Sequence, residues 1–245
     1  MGVFILKNKN LSILNTEYSR FSENALEKLN QLARIDNVNA DRNFLIKNIS
    51  KYDIIFIALN NIIDEVIITR AKKLKCIVTP TTGLDHIDVN FAKKKNIDIL
   101  SLKDEVKFLE NITSTAEHSW ALLLSIVRDL ISANSDVVYN KNWVRDHFYG
   151  NELQNKTLGI AGYGRLGKII SRYAKAFGMS VIVFDKNKNL KESSVEFVSL
   201  EALAKRSDFI TIHLSLNNET KCIFDKNIFS PVSYTHLTLP TICSV

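Results

Sequence analysis

The chain has 245 residues, of which 46% are hydrophobic and 24% charged, a balance typical of a globular protein and not of a disordered one. Its net charge of +6 comes from lysines scattered over amphipathic stretches, which favours solvated helix faces over a nucleic-acid footprint. The start, MGVFILKNKN, does not fit a signal peptide and no apolar run is long enough to span a membrane, so we expect a cytoplasmic protein.

Short apolar runs alternate with amphipathic helical patterns along the first hundred residues. DIIFIAL (Asp53 to Leu59) predicts a buried strand, and DEVIITRAKKL predicts the helix that follows it. The strand CIVT, the helix DVNFAKKKN and the strand IDIL continue the alternation, and the N-terminal fifty residues fit a strand–helix–strand–helix start. Such alternation predicts βαβ units with a parallel sheet.

A long apolar helix is predicted next, over TAEHSWALLLSIVRDL (Thr115 to Leu130), with Thr113, Ser114 or Thr115 as its cap. Because it is apolar on nearly every side, we expect it to be buried, between two domains. We expect His118 to be a packed, hydrogen-bonded residue and Trp120 to belong to the core. The segment NWVRDHFYGNEL is interpreted as an aromatic-bearing connection, after which a second alternating pattern begins.

The sequence GYGRLG starts at Gly162, between the apolar strand LGIA and an amphipathic helix that Gly178 ends. A glycine triplet in this context is the fingerprint of a dinucleotide-binding turn. Gly162 permits the tight turn, Gly164 lets a pyrophosphate approach the backbone, and Gly167 lets the helix pack on the strand. The N-terminus of the helix offers N–H groups and partial positive charge to the phosphates.

Asp185 follows the next strand, VIVF, eighteen residues after Gly167. This spacing suits the acid that hydrogen-bonds the adenosine ribose, and a carboxylate there would repel a 2′-phosphate. The sequence therefore favours NAD over NADP, although Lys186 stands beside the acid. The alternative is a glycine-rich turn without a ligand. No metal site is predicted, because the three cysteines are far apart and suit reduced thiols.

Four blocks, in this order, resemble the D-isomer-specific 2-hydroxyacid dehydrogenases, a family that includes phosphoglycerate, glycerate and formate dehydrogenases. They are VTPTTGLDHIDV, TSTAEHSWALLLSIVRDL, GIAGYGRLG and SDFITIHLSLNNETK, and the resemblance runs from about Ile54 to Ser230. It implies an α/β fold in which a Rossmann NAD-binding domain is inserted into a smaller flavodoxin-like α/β substrate domain. Residues 1–105 would be the N-terminal segment of the substrate domain, and residues 106–230 an incomplete Rossmann domain.

The resemblance also implies positions for the cofactor and the substrate. The pyrophosphate would lie on the backbone of Arg165 and Leu166, the ribose on Asp185, and the far side of the cofactor against His213 to Ser215. Ser215 stands where the family usually has Pro. Thr115 would lie near the nicotinamide. A substrate carboxylate would be held by N–H groups of two loops, one formed by Leu59, Asn60 and Asn61 and the other by Thr82 and Gly83. Asn60 and Asn61 fit a plain polar loop equally well.

Catalysis needs a cation for the carboxylate, a base and an acid that orients the base. The family supplies the cation as Arg, the orienting acid as Glu and the base as His, in that chain order and all after the block that ends near Ser230, so we assign no catalytic residue here. From Val232 the chain contains no Lys, Arg, Asp, Glu or Asn, and VSYTHLTLPT resembles a translated sequencing-library adapter. We therefore expect residues 231–245 to be a non-native tail and the chain to be a poorly folding, inactive fragment. A natural β-rich tail is the alternative.

Two functions follow for the intact gene product. The first is an NAD-dependent oxidoreductase that acts on the CH–OH group of a small D-2-hydroxy acid, or reduces the 2-keto acid, and that the family implies to be a homodimer. The second is a non-catalytic NAD(H)-binding regulatory protein on the same fold, such as a transcriptional corepressor. The presence of the Arg, Glu and His discriminates between them. We expect no nucleic-acid or membrane partner.

Overall fold

The structure, a computed structural model, describes residues 11–103, 105–187, 190, 192–217 and 219–229. The chain divides into two compact units, Met1–Leu109 and Glu110–Val245. The domain boundary expected from the sequence lies at residues 105 and 106. The predicted non-native tail and Cys243 lie outside the described residues.

The first unit contains a five-stranded sheet in the order β2-β1-β3-β4-β5, with every strand pair parallel. This is a flavodoxin-like order. The alternation of strands and helices predicted from the sequence is confirmed. The strands are β1 Ser12–Asn15, β2 Arg34–Asn37, β3 Ile54–Phe56, β4 Cys76–Thr79 and β5 Asp98–Ser101, and the helices are α1 Glu23–Leu32, α2 Arg42–Asn48, α3 Glu65–Arg70, α4 Val89–Lys94 and α5 Val106–Leu109.

Side-chain caps fix where the first four helices begin. A Ser or Asp precedes each helix and accepts a hydrogen bond from the backbone N–H three residues later, which satisfies one of the free donors of the first turn. The caps are Ser22, Asp41, Asp64 and Asp88.

The core of the first unit lies between one face of the sheet and the helices. Leu14, Leu45, Ile55, Ile67 and Ile77 are fully buried there. Each contributes about 1.5–3 kcal/mol relative to an exposed side chain. The core therefore depends on the β-branched runs that the sequence showed.

The opposite face of the same sheet is less covered. Register places Phe56, Val78 and Leu100 side by side on adjacent strands, and Leu100 is 59% exposed. They line a cavity of about 580 Å³, together with Phe21 and Phe108. Since helices normally cover both faces of such a sheet, we call these five side chains the open face of the first unit.

The second unit contains a four-stranded parallel sheet in the order β8-β7-β6-β9. This order corresponds to the strands 3-2-1-4 that begin a Rossmann sheet. The strands are β6 Thr157–Ala161, β7 Ser180–Phe184, β8 Glu196–Phe197 and β9 Phe209–Ile212, and the helices are α6 Ser114–Val127, α7 Leu130–Tyr139, α8 Arg165–Ala176, α9 Leu200–Arg206 and α10 Lys226–Phe229.

The long helix predicted to reach Leu130 is wrong at its C-terminal end. Asp129 has a φ of 51°, in the left-handed region, and separates α6 from α7. Trp120 is buried as predicted and meets the rings of Tyr173 and Phe177 edge-on. His118 is exposed, so the prediction that it packs is wrong: it lies about half a turn away from Trp120 and therefore on the other side of α6.

In the part of the chain that the structure describes, no helix combines the length and the apolar character that crossing a bilayer requires.

Candidate dinucleotide site

The turn between β6 and α8 has a backbone that only glycine tolerates at its first position. Gly162 has a φ of +98°, and a Cβ there would lie 2.7 Å from the carbonyl oxygen of His213. An L-residue would meet both the strain of a positive φ and a backbone clash. Gly162 therefore lets the chain turn sharply at the carboxyl end of β6, next to the end of β9.

The other two glycines of the turn have different surroundings. A Cβ on Gly167 would lie 2.1 Å from the carbonyl oxygen of Gly162 and 3.3 Å from Cγ2 of Ile160, so the helix packs directly on the strand. A Cβ on Gly164 would meet nothing within 4 Å. Gly164 is also the N-cap of α8 and makes no side-chain cap. Open space therefore lies in front of the N-terminus of a twelve-residue helix, which fits an anionic pyrophosphate.

Asp185 connects this turn to the end of β7. Its Oδ2 accepts a hydrogen bond from the N–H of Tyr163 at 2.6 Å, and its Oδ1 accepts one from the N–H of Asn187 at 2.8 Å. Each carboxylate oxygen has a second lone pair, so the group can still accept from two ribose hydroxyls. The sequence predicted the ribose role of Asp185 but not its contact with the glycine turn.

His213 and Ser215 follow β9 on the other side of β6. The His213 N–H donates to the carbonyl of Ala161 at 2.7 Å, and its Nε2 lies 2.8 Å from Oγ1 of Thr211. Burial lowers the pKa of His213, so the ring is neutral at pH 7. The structure therefore brings the glycine turn and the residues after β7 and β9 together at one edge of the sheet, because the carboxyl ends of parallel strands share an edge.

Arg165 and Thr115 belong to the same unit. Arg165 Nη1 donates to the carbonyl of Ile112, which ties the first turn of α8 to the segment before α6. Thr115 is exposed in the first turn of α6, and its carbonyl accepts from the hydroxyl of Ser119 at 2.9 Å. The position of Thr115 near a nicotinamide stays a prediction.

The predicted substrate loops lie in the first unit, after the adjacent strands β3 and β4. Asn60 is exposed, whereas Asn61 is buried and its N–H donates to the carbonyl of Ala58 at 3.3 Å. Gly83 is exposed, and its carbonyl accepts from the hydroxyl of Thr81 at 2.7 Å. Both loops therefore lie at the carboxyl edge of the sheet, and their contact with a substrate stays a prediction.

One contact beside the dinucleotide site escaped the sequence reasoning. Lys186, next to Asp185, pairs with Glu219 in the loop after β9, with 2.9 Å between Nζ and Oε2. The two residues are thirty-three positions apart, and no periodic pattern links them. No group of three or more potential metal-ligating side chains occurs among the described residues.

Residues 120–236 match a family described as the D-isomer specific 2-hydroxyacid dehydrogenase, NAD binding domain. The match extends into the segment predicted to be a non-native tail, and the origin of that segment stays a prediction. A hydroxypyruvate reductase of Thermotoga maritima is 33% identical over 186 residues, which are 76% of this chain and 59% of that protein. The chain thus spans little more than half of this relative.

Solved structures of similar fold include two with a bound dinucleotide. The NAD complex of a Staphylococcus aureus formate dehydrogenase has a TM-score of 0.77 and 26% identity, over 90% of this chain and 70% of that one. An acyclic imino acid reductase in complex with NADPH and D-Arg has a TM-score of 0.76 and 25% identity, over 90% of this chain and 71% of that one.

Proposed function

Because the chain belongs, through its NAD-binding domain, to the D-isomer specific 2-hydroxyacid dehydrogenase family, we propose that the whole protein is an NAD-dependent oxidoreductase. It would act on the CH–OH group of a small D-2-hydroxy acid or reduce the corresponding 2-keto acid. The observation that carries the proposal is the glycine turn in front of α8, open at Gly164 and tied to Asp185 by the N–H of Tyr163. A Cβ at Gly164 would meet no protein atom within 4 Å, so packing within the protein does not require a glycine there, whereas a pyrophosphate close to the backbone would.

The described residues have separate tasks in this proposal. Backbone N–H groups in the first turn of α8, at Arg165 and Leu166, would bind the pyrophosphate. Asp185 would accept from the ribose hydroxyls, and the neutral ring of His213 would add no charge to the wall after β9. NAD, when bound, supplies the hydride acceptor of the oxidation.

The substrate would be held in the first unit. Backbone N–H groups of the loops that contain Asn60, Asn61 and Gly83 would hold its carboxylate. The resemblance places the catalytic Arg, Glu and His after residue 230, so we propose that the 245-residue chain does not turn over substrate. The sequence led us to expect a poorly folding fragment, but the second unit has a hydrophobic core of its own, and we propose that this unit binds the cofactor. This proposal also separates the enzyme from a non-catalytic NAD(H)-binding regulator, because only the enzyme needs those three side chains in the longer protein.

Cofactor titration tests the first half of the proposal. NADH binding to the 245-residue chain is measured by calorimetry and by nicotinamide fluorescence, with Asp185→Ala as the variant and Asp208→Ala, remote from the glycine turn, as the control. We expect the Asp185 variant to bind NADH at least about tenfold more weakly, a difference of about 1.4 kcal/mol, and the control to bind normally. Equal binding by all three proteins, or none by the wild type, would refute the assignment.

Turnover tests the second half. The 245-residue chain is mixed with NADH and small 2-keto acids such as glyoxylate, hydroxypyruvate and pyruvate, and absorbance is followed. We expect no consumption of NADH even where binding is saturated. Measurable turnover would show that residues 1–245 contain a complete catalytic set.

We also propose that the protein is a homodimer that forms through α7 and the connection after it. This region exposes large apolar side chains, with Trp143 87% and Tyr149 77% exposed. Ile131 and Tyr139 on α7 are exposed as well. An apolar surface of this extent is typical of a protein–protein interface.

Light scattering after gel filtration tests the dimer. We expect about twice the chain mass of 27.8 kDa for the wild type and the single mass for Ile131→Glu combined with Tyr139→Glu. Lys141→Glu changes the charge of the same segment without removing apolar surface and should stay dimeric. A wild-type monomer at high concentration would contradict the proposed interface.

Because the resemblance implies a Rossmann domain inserted into the substrate domain, it also implies a C-terminal segment that returns to the substrate domain. We propose that this return segment packs on the open face of the first unit. In the 245-residue chain Leu100→Lys should cost little stability, because Leu100 is 59% exposed. In a longer protein that covers this face, the same change should cost about 1.5–3 kcal/mol. Urea unfolding of both proteins measures the difference, and an equal loss of stability in the two proteins would contradict this placement of the return segment.

A cytoplasmic location is part of the proposal. Cys76 and Cys222 are free thiols, which suits a reducing compartment. Burial raises the pKa of Cys76 to about 11, so its thiol is protonated and unreactive at neutral pH.

A further inference from the structure

The pair of Lys186 and Glu219 joins the two loops that flank the glycine turn. Lys186 follows Asp185 at the end of β7, and Glu219 lies in the loop after β9, the strand on the other side of β6. Lys186 Nζ donates to Oε2 of Glu219 at 2.9 Å. The pair therefore connects the loops after β7 and β9 beside the carboxylate assigned to the adenosine ribose.

A preformed turn holds Glu219 in this position. The side-chain oxygen of Asn217 accepts from the N–H groups of Glu219 at 2.9 Å and of Thr220 at 3.0 Å. The hydroxyl of Thr220 accepts from the N–H of Asn217 at 2.9 Å and donates to the carbonyl of Ser215 at 2.7 Å. The Lys186 ammonium lowers the pKa of Glu219, so the carboxylate is charged at neutral pH. Loop geometry and charge thus both favour the pair.

The position of Lys186 matters for cofactor choice. A cation beside the ribose acid is the device by which a Rossmann site accepts the 2′-phosphate of NADP. Lys186 occupies that sequence position, but its ammonium is directed to Glu219.

We propose that Glu219 is a specificity-determining residue: by holding Lys186 it keeps that cation away from a 2′-phosphate and makes the site select NAD(H) over NADP(H). The inference rests on the proposed function of the same site and adds the residue that sets cofactor choice. Asp185 disfavours the 2′-phosphate directly, whereas Glu219 acts through Lys186.

The test compares the affinities of the full 245-residue chain for NADH and NADPH by calorimetry. The variants are Glu219→Gln, Lys186→Met and the double variant Lys186→Met/Glu219→Gln. Glu152→Gln, a change of an exposed carboxylate in the connection before β6, is the control for net charge. Circular dichroism of each protein shows that the fold is retained.

We expect Glu219→Gln to lower the Kd for NADPH about threefold to tenfold while the Kd for NADH stays within twofold, because it frees one cation at the ribose. The double variant should lose this gain, since the freed lysine is then missing, and Glu152→Gln should change neither value. If the ratio of the Kd values for NADPH and NADH is unchanged in Glu219→Gln, the inference is overturned while the proposed function stands. An equal gain in NADPH affinity in the double variant or in Glu152→Gln has the same consequence. Absence of NADH binding by the wild type overturns the proposed function, and the inference with it.

Discussion

Replacing Gly162 and Gly164 by alanine should separate the stability of the fold from the binding of the cofactor. The two residues lie two positions apart, and each change adds one methyl group. At Gly162 the methyl group would lie 2.7 Å from a backbone oxygen and the φ is +98°. At Gly164 the methyl group would meet nothing within 4 Å, and φ is −75°. The added methyl group therefore perturbs the protein itself at Gly162, whereas at Gly164 it fills only the space in front of the helix.

The magnitudes follow from these surroundings. A positive φ costs an alanine about 1–2 kcal/mol, and the contact with His213 forces a backbone shift, so Gly162→Ala should lower the free energy of unfolding by about 2–3 kcal/mol. At the N-cap an alanine is worse than a glycine by about 0.5–1 kcal/mol. The lower entropy of the unfolded chain returns about 0.4–1 kcal/mol. Gly164→Ala should therefore leave stability within about 0.5 kcal/mol of the wild type.

Urea unfolding of the second unit, followed by tryptophan fluorescence, and NADH titration provide the two readouts. We expect Gly164→Ala to unfold like the wild type and to bind NADH at least about tenfold more weakly. Gly162→Ala should unfold at a clearly lower urea concentration. If Gly164→Ala binds NADH normally, the pyrophosphate does not approach the backbone at this glycine. If it is as unstable as Gly162→Ala, the open space described there is wrong.

Three further predictions concern stability. Burial alone would raise the pKa of Asp53, but hydrogen bonds from Ser12 and Lys75 outweigh burial and lower that pKa. The stability that Asp53 contributes is therefore present above the unfolded pKa of about 3.9 and is lost as the pH falls below that value. Acid titration should destabilise the wild type below about pH 3.9 more than it destabilises Asp53→Asn. Burial lowers the pKa of His86, so the unfolded state binds the proton first and the free energy of unfolding should decline as the pH falls below about 6.5. In urea unfolding at several pH values, His86→Gln should reduce this dependence of stability on pH. An unchanged pH dependence would contradict the prediction. Leu203 is fully buried against the strand at Gly159, so Leu203→Ala should cost about 2–5 kcal/mol, and a cost below 1 kcal/mol in urea would show that the site collapses around the change.

Local sequence patterns predicted the elements well where strand and helix signals were strong. CIVT is β4 to the residue, and α8 ends at Ala176, two positions before the Gly178 that was predicted to end it. The errors fall where a local signal is weak. The helix beginning in the 113–115 region ends before Arg128 because Asp129 adopts a left-handed conformation. An aspartate in an apolar run does not by itself predict such a conformation. His118 is exposed because the packing of α6 uses the face of Ala116 and Trp120.

The predicted site residues show the same division. Spacing alone predicts a role in cofactor binding for Gly162, Gly164, Gly167 and Asp185, because a turn between a strand and a helix is a local structure with a fixed length. The hydrogen bond from Tyr163 to Asp185 spans twenty-two residues, and the pair of Lys186 and Glu219 spans thirty-three. Their partners are on different strands, so only the order of the strands in the sheet makes them neighbours.

By itself, the sequence determined the alternation of strands and helices, the parallel sheets that follow from it and the dinucleotide turn. Each depends on residues within one element or one connection, where periodicity and glycine positions act directly on the backbone. The tertiary structure decided what surrounds that turn. It set the open space at Gly164, the hydrogen bond from Tyr163 to Asp185, the ion pair of Lys186 with Glu219 and the open face of the first unit. All four depend on which distant elements pack together, because burial and charge pairing arise only between such elements.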